Sequence, residues 1–91
     1  IRVMNTPGHT MGSCVFMFDD VMLSGDTLFK GACGRWDLLG GSQEDMMESL
    51  RRLYALEGDY RVFSGHGDPT TLETERHENP YMRRAVETAQ K

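Results

Sequence analysis

The chain has 91 residues, with 10 Lys and Arg against 14 Asp and Glu, which gives a formal net charge of −4 at pH 7. This length allows one domain at most, and 38% hydrophobic with 26% charged residues predicts a globular fold and argues against intrinsic disorder. The acidic balance argues against a nucleic-acid partner. No apolar run reaches the about 20 residues that a membrane helix needs. The two cysteines form no C-x-x-C pair and no disulfide framework, so reduced thiols and a cytoplasmic location are expected.

Short apolar and alternating runs predict three strands in the first part of the chain. Residues 1–5 alternate apolar and polar side chains, and residues 14–18 form an apolar run rich in β-forming residues. A two-residue Asp-Asp connection separates this run from a third strand at residues 21–24, so the two strands predict a hairpin. Residues 29–41 contain four glycines and predict a long ordered loop.

The second part of the chain predicts three helices and one more strand. Ser42 is expected to cap the clearest helix, which has acidic residues in its first turn and is expected to end at Gly58. The apolar stripe of this helix should face the sheet. The stripe consists of Met46, Met47, Leu50, Leu53, Tyr54 and Leu56. Residues 60–64 predict the last strand, a capping box at Thr70 predicts a short helix, and Asn79 is expected to cap the final helix.

Three polar clusters stand where a predicted strand gives way to a loop. They are TPGHT at residues 6–10, SGDT at residues 24–27 and SGHGD at residues 64–68. Each cluster combines a small flexible residue with one potential metal ligand, and these ligands are His9, Asp26 and His66. Imidazole and carboxylate groups together suit zinc or iron. Each residue also suits an ordinary turn, so the spacing alone leaves a metal site and a structural loop as open alternatives.

The same clusters carry a resemblance to the metallo-β-lactamase superfamily. TPGHTMGS at residues 6–13 resembles its T-P-G-H-T-x-G-S motif, LSGDTLF at residues 23–29 resembles its G-D-x-L-F segment, and SGHG at residues 64–67 resembles its last histidine motif. All three occur in the order of the family. The resemblance implies an α+β chain that forms half of a four-layered αββα sandwich, a mixed or antiparallel sheet with helices on one face.

Two further stretches are similar to the glyoxalase II (hydroxyacylglutathione hydrolase)-like group. GRWDLLGGS at residues 34–42 is similar to its G-R-x-D-x-x-G-G-S stretch, and residues 69–81 resemble its P-x-T-T…E-R…N-P-[FY] tail. This similarity implies a hydrolase with two zinc ions, with iron or manganese as other metals, that acts on a thioester or similar small acyl substrate. The related sulfur dioxygenases share part of these features, so an iron-dependent sulfur dioxygenase stays an alternative.

The resemblance also implies roles for individual residues. His9 corresponds to a ligand of the first metal, Asp26 to the catalytic carboxylate that bridges both metals, and His66 to a ligand of the second. Arg35 and Trp36 lie in a loop that borders the active site in relatives, which makes them candidates for substrate binding. Arg35 is also expected to pair with Asp37 and brace this loop.

The superfamily's H-x-H-x-D-H motif is absent from this chain. We therefore expect residues 1–91 to form the C-terminal half of a metallo-β-lactamase domain, and we expect this half alone to be inactive. The sheet face that would pack on the N-terminal half should be open, with that half or a homodimer partner as its cover. A non-catalytic half-domain that acts as an assembly module is the remaining alternative.

Overall fold

A computed structural model of the protein describes residues 1–37, 40–65 and 67–89. The helices and strands in these ranges confirm the predicted α+β class. In chain order they are β1 (Arg2–Asn5), β2 (Cys14–Phe18), β3 (Val21–Gly25), β4 (Leu28–Phe29), β5 (Ala32–Cys33), α1 (Gln43–Tyr54), β6 (Arg61–Ser64), β7 (Thr70–Thr71), α2 (Leu72–Glu78) and α3 (Pro80–Ala89). None of the helices in these ranges has the length and apolar character that crossing a bilayer requires.

A five-stranded mixed sheet forms the centre of the described fold, in the order β1-β2-β3-β6-β7. The first three strands are antiparallel neighbours, and Phe18 pairs with Val21 across the predicted two-residue turn. Strands β3 and β6 run parallel, whereas β7 is antiparallel to β6. Because β3 and β6 are parallel, their carboxyl ends meet at one edge of the sheet, where ligands commonly bind in folds with parallel strands. Two of the three polar clusters follow these two strand ends.

The predicted loop at residues 29–41 contains regular structure, which corrects the sequence prediction. Strands β4 and β5 form a small antiparallel hairpin in which Leu28 pairs with Cys33. Each of these strands has only two residues. A strand this short shows no alternation in its sequence, so periodicity gives no signal for it.

The helix ends agree with the predictions in two cases and differ in two. Ser42 caps α1 and Asn79 caps α3, each with a side-chain oxygen that accepts backbone N–H groups of the first turn. The cap of α2 is Thr71, whose side chain accepts the N–H of Thr74. The predicted cap, Thr70, lies one residue earlier and donates its hydroxyl to Glu75 instead. Helix α1 ends at Tyr54, before the predicted glycine.

The helices cover one face of the sheet, as the resemblance implied. Strands β2, β3 and β6 turn alternate side chains toward the helices, where they are almost fully buried. The core consists of Val15, Met17, Met22 and Val62 from these strands, Leu28 from β4, and Met46, Met47, Leu50, Leu53, Leu72, Met82 and Ala85 from the helices. Four of the six predicted stripe residues are in this core, whereas Tyr54 is exposed and Leu56 packs at its margin.

The opposite face of the sheet carries an open apolar row. Val3, Phe16, Leu23 and Phe63 stand in register across β1, β2, β3 and β6. Each of these four residues is at least 38% exposed. A continuous row of large apolar side chains on a solvent-facing sheet is typical of a surface that packs against another layer.

Candidate metal centre

His9 lies in the loop between β1 and β2, and this loop packs against the start of α1. The backbone N–H of Ser42 donates to the backbone oxygen of Gly8 at 2.8 Å. Gly8 has φ +147°, and a Cβ at this position would lie 2.5 Å from the Cα of Met46. Only glycine therefore lets the loop approach the helix this closely, and the backbone that carries His9 is fixed by this contact.

The hydrogen bond of the His9 ring determines its tautomer. Its Nδ1 lies 2.8 Å from the backbone oxygen of Arg35. Because a carbonyl oxygen only accepts, Nδ1 donates, and in the neutral ring Nε2 keeps its lone pair. Nε2 lies 3.7 Å from Oδ2 of Asp26, which is too long for a hydrogen bond. A ring with Nδ1–H on a carbonyl and Nε2 facing a carboxylate has the orientation of a metal-ligating histidine.

The spacing of these two side chains also fits a shared metal ion. Two ligand atoms bound to one tetrahedral zinc, each about 2.0–2.1 Å from it, are roughly 3.3 Å apart. The 3.7 Å between Nε2 of His9 and Oδ2 of Asp26 is close to this separation. The side chains are 25% and 42% exposed, and together with Phe29, Gly34 and Arg35 they line a cavity of about 190 Å³. This donor pair is therefore accessible to an ion from solvent.

Asp26 follows β3 at the edge of the sheet where β6 also ends. The N–H of Gly65 donates to the backbone oxygen of Gly25 at 2.9 Å, and a Cβ at Gly65 would lie 3.3 Å from Oδ1 of Asp26. His66, the third predicted ligand, lies outside the described residues. Within residues 1–37, 40–65 and 67–89, no three His, Cys, Asp or Glu side chains are grouped closely enough to hold a metal. The structure therefore brings His9 and Asp26 together, and the role of His66 stays a prediction.

The β4–β5 hairpin brings the backbone oxygen of Arg35 to His9. The N–H of Gly34 donates to the oxygen of Thr27 at 3.3 Å. A Cβ at Gly34 would lie 1.9 Å from the backbone oxygen of Asp26 and 3.2 Å from Cβ of His9, so a larger residue would push the hairpin away. Sequence reasoning missed this backbone contact, because a carbonyl carries no side-chain signature. The only signal for it is the glycine that precedes Arg35.

Arg35 and Trp36, the predicted substrate-binding residues, make different contacts. The guanidinium of Arg35 donates two hydrogen bonds to the Asp37 carboxylate, at 3.0 and 3.1 Å, which is the predicted brace. These hydrogen bonds lower the pKa of the Asp37 carboxyl, so it stays ionised at neutral pH. Trp36 packs edge-on against Tyr81 with ring centroids 6.0 Å apart. Arg35 also lines the cavity that contains His9 and Asp26, and contact of either residue with substrate stays a prediction.

Cys33 lies at the end of β5, close to the candidate site. It does not have the properties of a nucleophile. Burial raises the pKa of its thiol from 9.0 to about 11. The thiolate is the reactive form of cysteine, and at this pKa almost none of it is present at neutral pH. Cys33 therefore acts as a small uncharged wall residue.

Comparison with known proteins identifies relatives of this arrangement. A profile of the metallo-beta-lactamase superfamily matches residues 3–66. The chain is 40% identical over 85 residues to a probable metallo-hydrolase, YqgX, from Bacillus subtilis, an alignment that covers 90% of this chain and 40% of that protein. It is 41% identical over 66 residues to a hydroxyacylglutathione hydrolase from a Shewanella strain, covering 72% of this chain and 24% of that protein. The chain thus spans less than half the length of these relatives.

Solved structures give the same result for the fold. TTHA1623, crystallised in a di-iron-bound form, matches with a TM-score of 0.82 and 41% identity over 88% of this chain and 41% of that one. ETHE1 from Myxococcus xanthus matches with a TM-score of 0.81 and 32% identity over 87% of this chain and 37% of that one. The matched parts of these proteins share one fold with the chain.

Proposed function

The chain belongs to the metallo-beta-lactamase superfamily, and from this premise we propose that it supplies part of a binuclear metal centre of a glyoxalase II-like hydrolase. The proposed substrate is a thioester or similar small acyl compound. The observation that carries the proposal is the His9–Asp26 pair, in which the backbone oxygen of Arg35 holds Nδ1 of His9. Identity to a protein named hydroxyacylglutathione hydrolase supports a thioester as substrate.

His9, Asp26 and His66 are the proposed metal ligands. The two carboxylate oxygens of Asp26 face different sides, because Oδ2 is nearest to His9 and Oδ1 is nearest to Gly65. This orientation supports the bridging role, since each oxygen can bind a separate ion. Zinc is the proposed metal, and iron or manganese stay alternatives because a relative of this fold holds two irons. A divalent ion bound here would polarise a substrate carbonyl and lower the pKa of a coordinated water.

The remaining ligands are proposed to come from outside these 91 residues. Two four-coordinate zinc ions need more ligands than His9, Asp26 and His66 supply, and relatives are more than twice as long as the segment they share with this chain. We expect the same outside part of the domain to cover the open apolar row. The chain alone is then expected to bind metal weakly and to be inactive.

A chimera with the Bacillus subtilis relative tests the proposed activity. The 91 residues replace the matching 40% of YqgX, and hydrolysis of an acyl-glutathione is followed through the thiol that it releases. With Zn²⁺ added, we expect turnover by the chimera and none by the 91-residue chain. A folded, metal-loaded chimera that leaves the thioester intact would contradict the hydrolase proposal, and turnover by the chain alone would contradict its need for outside ligands.

An iron-dependent sulfur dioxygenase is the second candidate, favoured by the fold and the 32% identity that the chain shares with ETHE1, a dioxygenase. The same chimera distinguishes the two reactions. One iron per chain, with oxygen consumption when a persulfide is added and no thioester hydrolysis, would favour the dioxygenase. Absence of both activities in a metal-loaded chimera would favour the non-catalytic assembly module.

The open apolar row is expected to make the isolated chain self-associate. Full burial of a large apolar side chain contributes about 1.5–3 kcal/mol, so a row of four favours pairing of two copies when no other layer covers it. Phe16→Glu, in the middle of the row, is expected to give a monomer in sedimentation velocity. Tyr54→Glu is the matched control, because Tyr54 is similarly exposed but lies on α1. A strictly monomeric unmodified chain would contradict this expectation.

A further inference from the structure

A second cavity lies beside the His9–Asp26 pair. It measures about 260 Å³ and is lined by Cys33, Gly34, Arg35, Trp36, Asp37 and Tyr81. Gly34 and Arg35 also line the cavity that contains His9 and Asp26. A substrate whose reacting carbonyl lies at the metal pair can therefore extend a substituent past Arg35 into this second cavity, which we call the Trp36–Tyr81 cavity.

Two aromatic rings form a fixed wall of the Trp36–Tyr81 cavity. The rings of Trp36 and Tyr81 meet at 72° with centroids 6.0 Å apart, the edge-to-face arrangement that aromatic pairs prefer. Both side chains are partly buried and pack against the hydrophobic core. The neighbouring Cys33 is partly buried against the same core and adds a small uncharged surface. The wall is therefore apolar and is held in place before any ligand arrives.

The ionised groups among the described lining residues neutralise each other. Arg35 and Asp37 form a two-point ion pair at 3.0 and 3.1 Å. Their side chains are 67% and 62% exposed, so the pair lies at the solvent side of the cavity. Because the guanidinium of Arg35 already binds a carboxylate, the cavity offers an anionic ligand no uncompensated positive charge.

We propose that the Trp36–Tyr81 cavity binds a compact, uncharged apolar acyl group of the substrate, about the size of one ring. Its place next to the reacting carbonyl depends on the proposed function. An enclosed apolar cavity of roughly 150 Å³ in another protein holds benzene, so this open cavity of about 260 Å³ has space for a ring together with a short linker. An acyl group that carries a carboxylate is expected to bind more weakly, because the guanidinium of Arg35 is already paired with Asp37.

The fluorescence of Trp36 provides a direct test, because it is the only tryptophan of the chain. The probes are benzyl alcohol and benzoate, which share the ring and differ in charge. Benzyl alcohol is expected to change the Trp36 emission saturably, and benzoate to bind roughly tenfold more weakly. Tyr81→Ala is expected to weaken benzyl alcohol binding by about tenfold, whereas Tyr54→Ala, at a residue that does not line the cavity, leaves it unchanged. No saturable change with benzyl alcohol in the unmodified chain would overturn the proposal.

A second variant gives a gain of binding that partial unfolding does not produce. Asp37→Asn removes the carboxylate that neutralises Arg35. Benzoate is then expected to bind roughly tenfold more tightly than to the unmodified chain, because the guanidinium is available to it. Unchanged benzoate affinity in this variant would overturn the role of the ion pair in excluding anions.

Titration of Zn²⁺ into the YqgX chimera separates the two proposals, because the 91-residue chain alone is expected to bind metal weakly. Binding of benzyl alcohol needs the aromatic wall and no metal. Benzyl alcohol binding by the chain, without zinc affinity in the chimera, would support the cavity and count against the proposed function. Zinc affinity without benzyl alcohol binding would overturn the cavity and leave the proposed function in place.

Discussion

Asp26→Asn is expected to lower the zinc affinity of the YqgX chimera by at least about 100-fold. Replacing a residue that only hydrogen-bonds to a metal ligand already lowers metal affinity by up to about 100-fold, and Asp26 is proposed to bind the metal itself. Asparagine keeps the shape of the side chain but loses its negative charge and one of its two oxygens as an anionic donor. The remaining oxygen cannot face both His9 and Gly65, which Oδ2 and Oδ1 of Asp26 do. Isothermal titration calorimetry with Zn²⁺ and a competing chelator measures the change.

The control for Asp26→Asn is the same substitution at Asp20. Asp20 is exposed, lies in the turn between β2 and β3, and pairs with Arg61 at 3.0 Å, away from His9. Asp20→Asn is expected to leave the zinc affinity unchanged. Equal zinc affinity in the Asp26→Asn and unmodified chimeras would show that Asp26 does not bind the metal.

Asn79→Ala is expected to lower the free energy of unfolding by about 3–4 kcal/mol, because a buried cap and several buried hydrogen bonds are lost together. Asn79 is fully buried, and its Nδ2 lies within hydrogen-bond distance of the backbone oxygens of Phe29 and Ala32 and of Oε1 of Glu75. Its Oδ1 accepts two N–H groups of the first turn of α3. The substitution leaves the buried Glu75 carboxylate and two carbonyl oxygens with fewer donors. Urea unfolding of the 91-residue chain measures the loss.

The control for Asn79→Ala is Gln43→Ala at the exposed start of α1, which is expected to change the stability by less than about 0.5 kcal/mol. The β4–β5 hairpin links Asn79 to the site. Nδ2 of Asn79 lies within hydrogen-bond distance of the backbone oxygens of Phe29 and Ala32 in this hairpin, and the backbone oxygen of Arg35, just after it, accepts from Nδ1 of His9. Asn79→Ala is therefore also expected to weaken zinc binding in the chimera. An unfolding free energy within 1 kcal/mol of the unmodified chain, about the average effect of a single substitution, would contradict this account.

The longer elements could be predicted from the sequence because their hydrophobic periods are long enough to recognise. Helix α1 shows an apolar stripe and a capping serine, and β2 and β3 are separated by a two-residue turn. Strands β4, β5 and β7 have two residues each, and no period exists over two residues. Asn79 and Glu75 bind backbone groups of the β4–β5 hairpin from a distant part of the chain, and β7 pairs with β6.

The candidate site was predictable in its side chains but not in its supports. His9 and Asp26 belong to polar clusters at strand ends, and the structure brings them within 3.7 Å. The backbone oxygen of Arg35 orients the His9 imidazole. The sequence does not indicate this contact, because every residue type has a backbone oxygen. The contact between the rings of Trp36 and Tyr81 was not predictable either, because a contact between residues distant in sequence depends on how α3 packs.

The most direct test of the central claim is an NMR titration of the histidine-labelled chain with Zn²⁺, which detects weak binding. The chain has three histidines, and two-bond ¹H–¹⁵N spectra identify the tautomer of each. We expect His9 to carry its proton on Nδ1 in mildly alkaline buffer, and Zn²⁺ to shift its Nε2 resonance while Nδ1 stays protonated. A His9 protonated on Nε2, or a Zn²⁺ response confined to the exposed His77, would contradict this expectation.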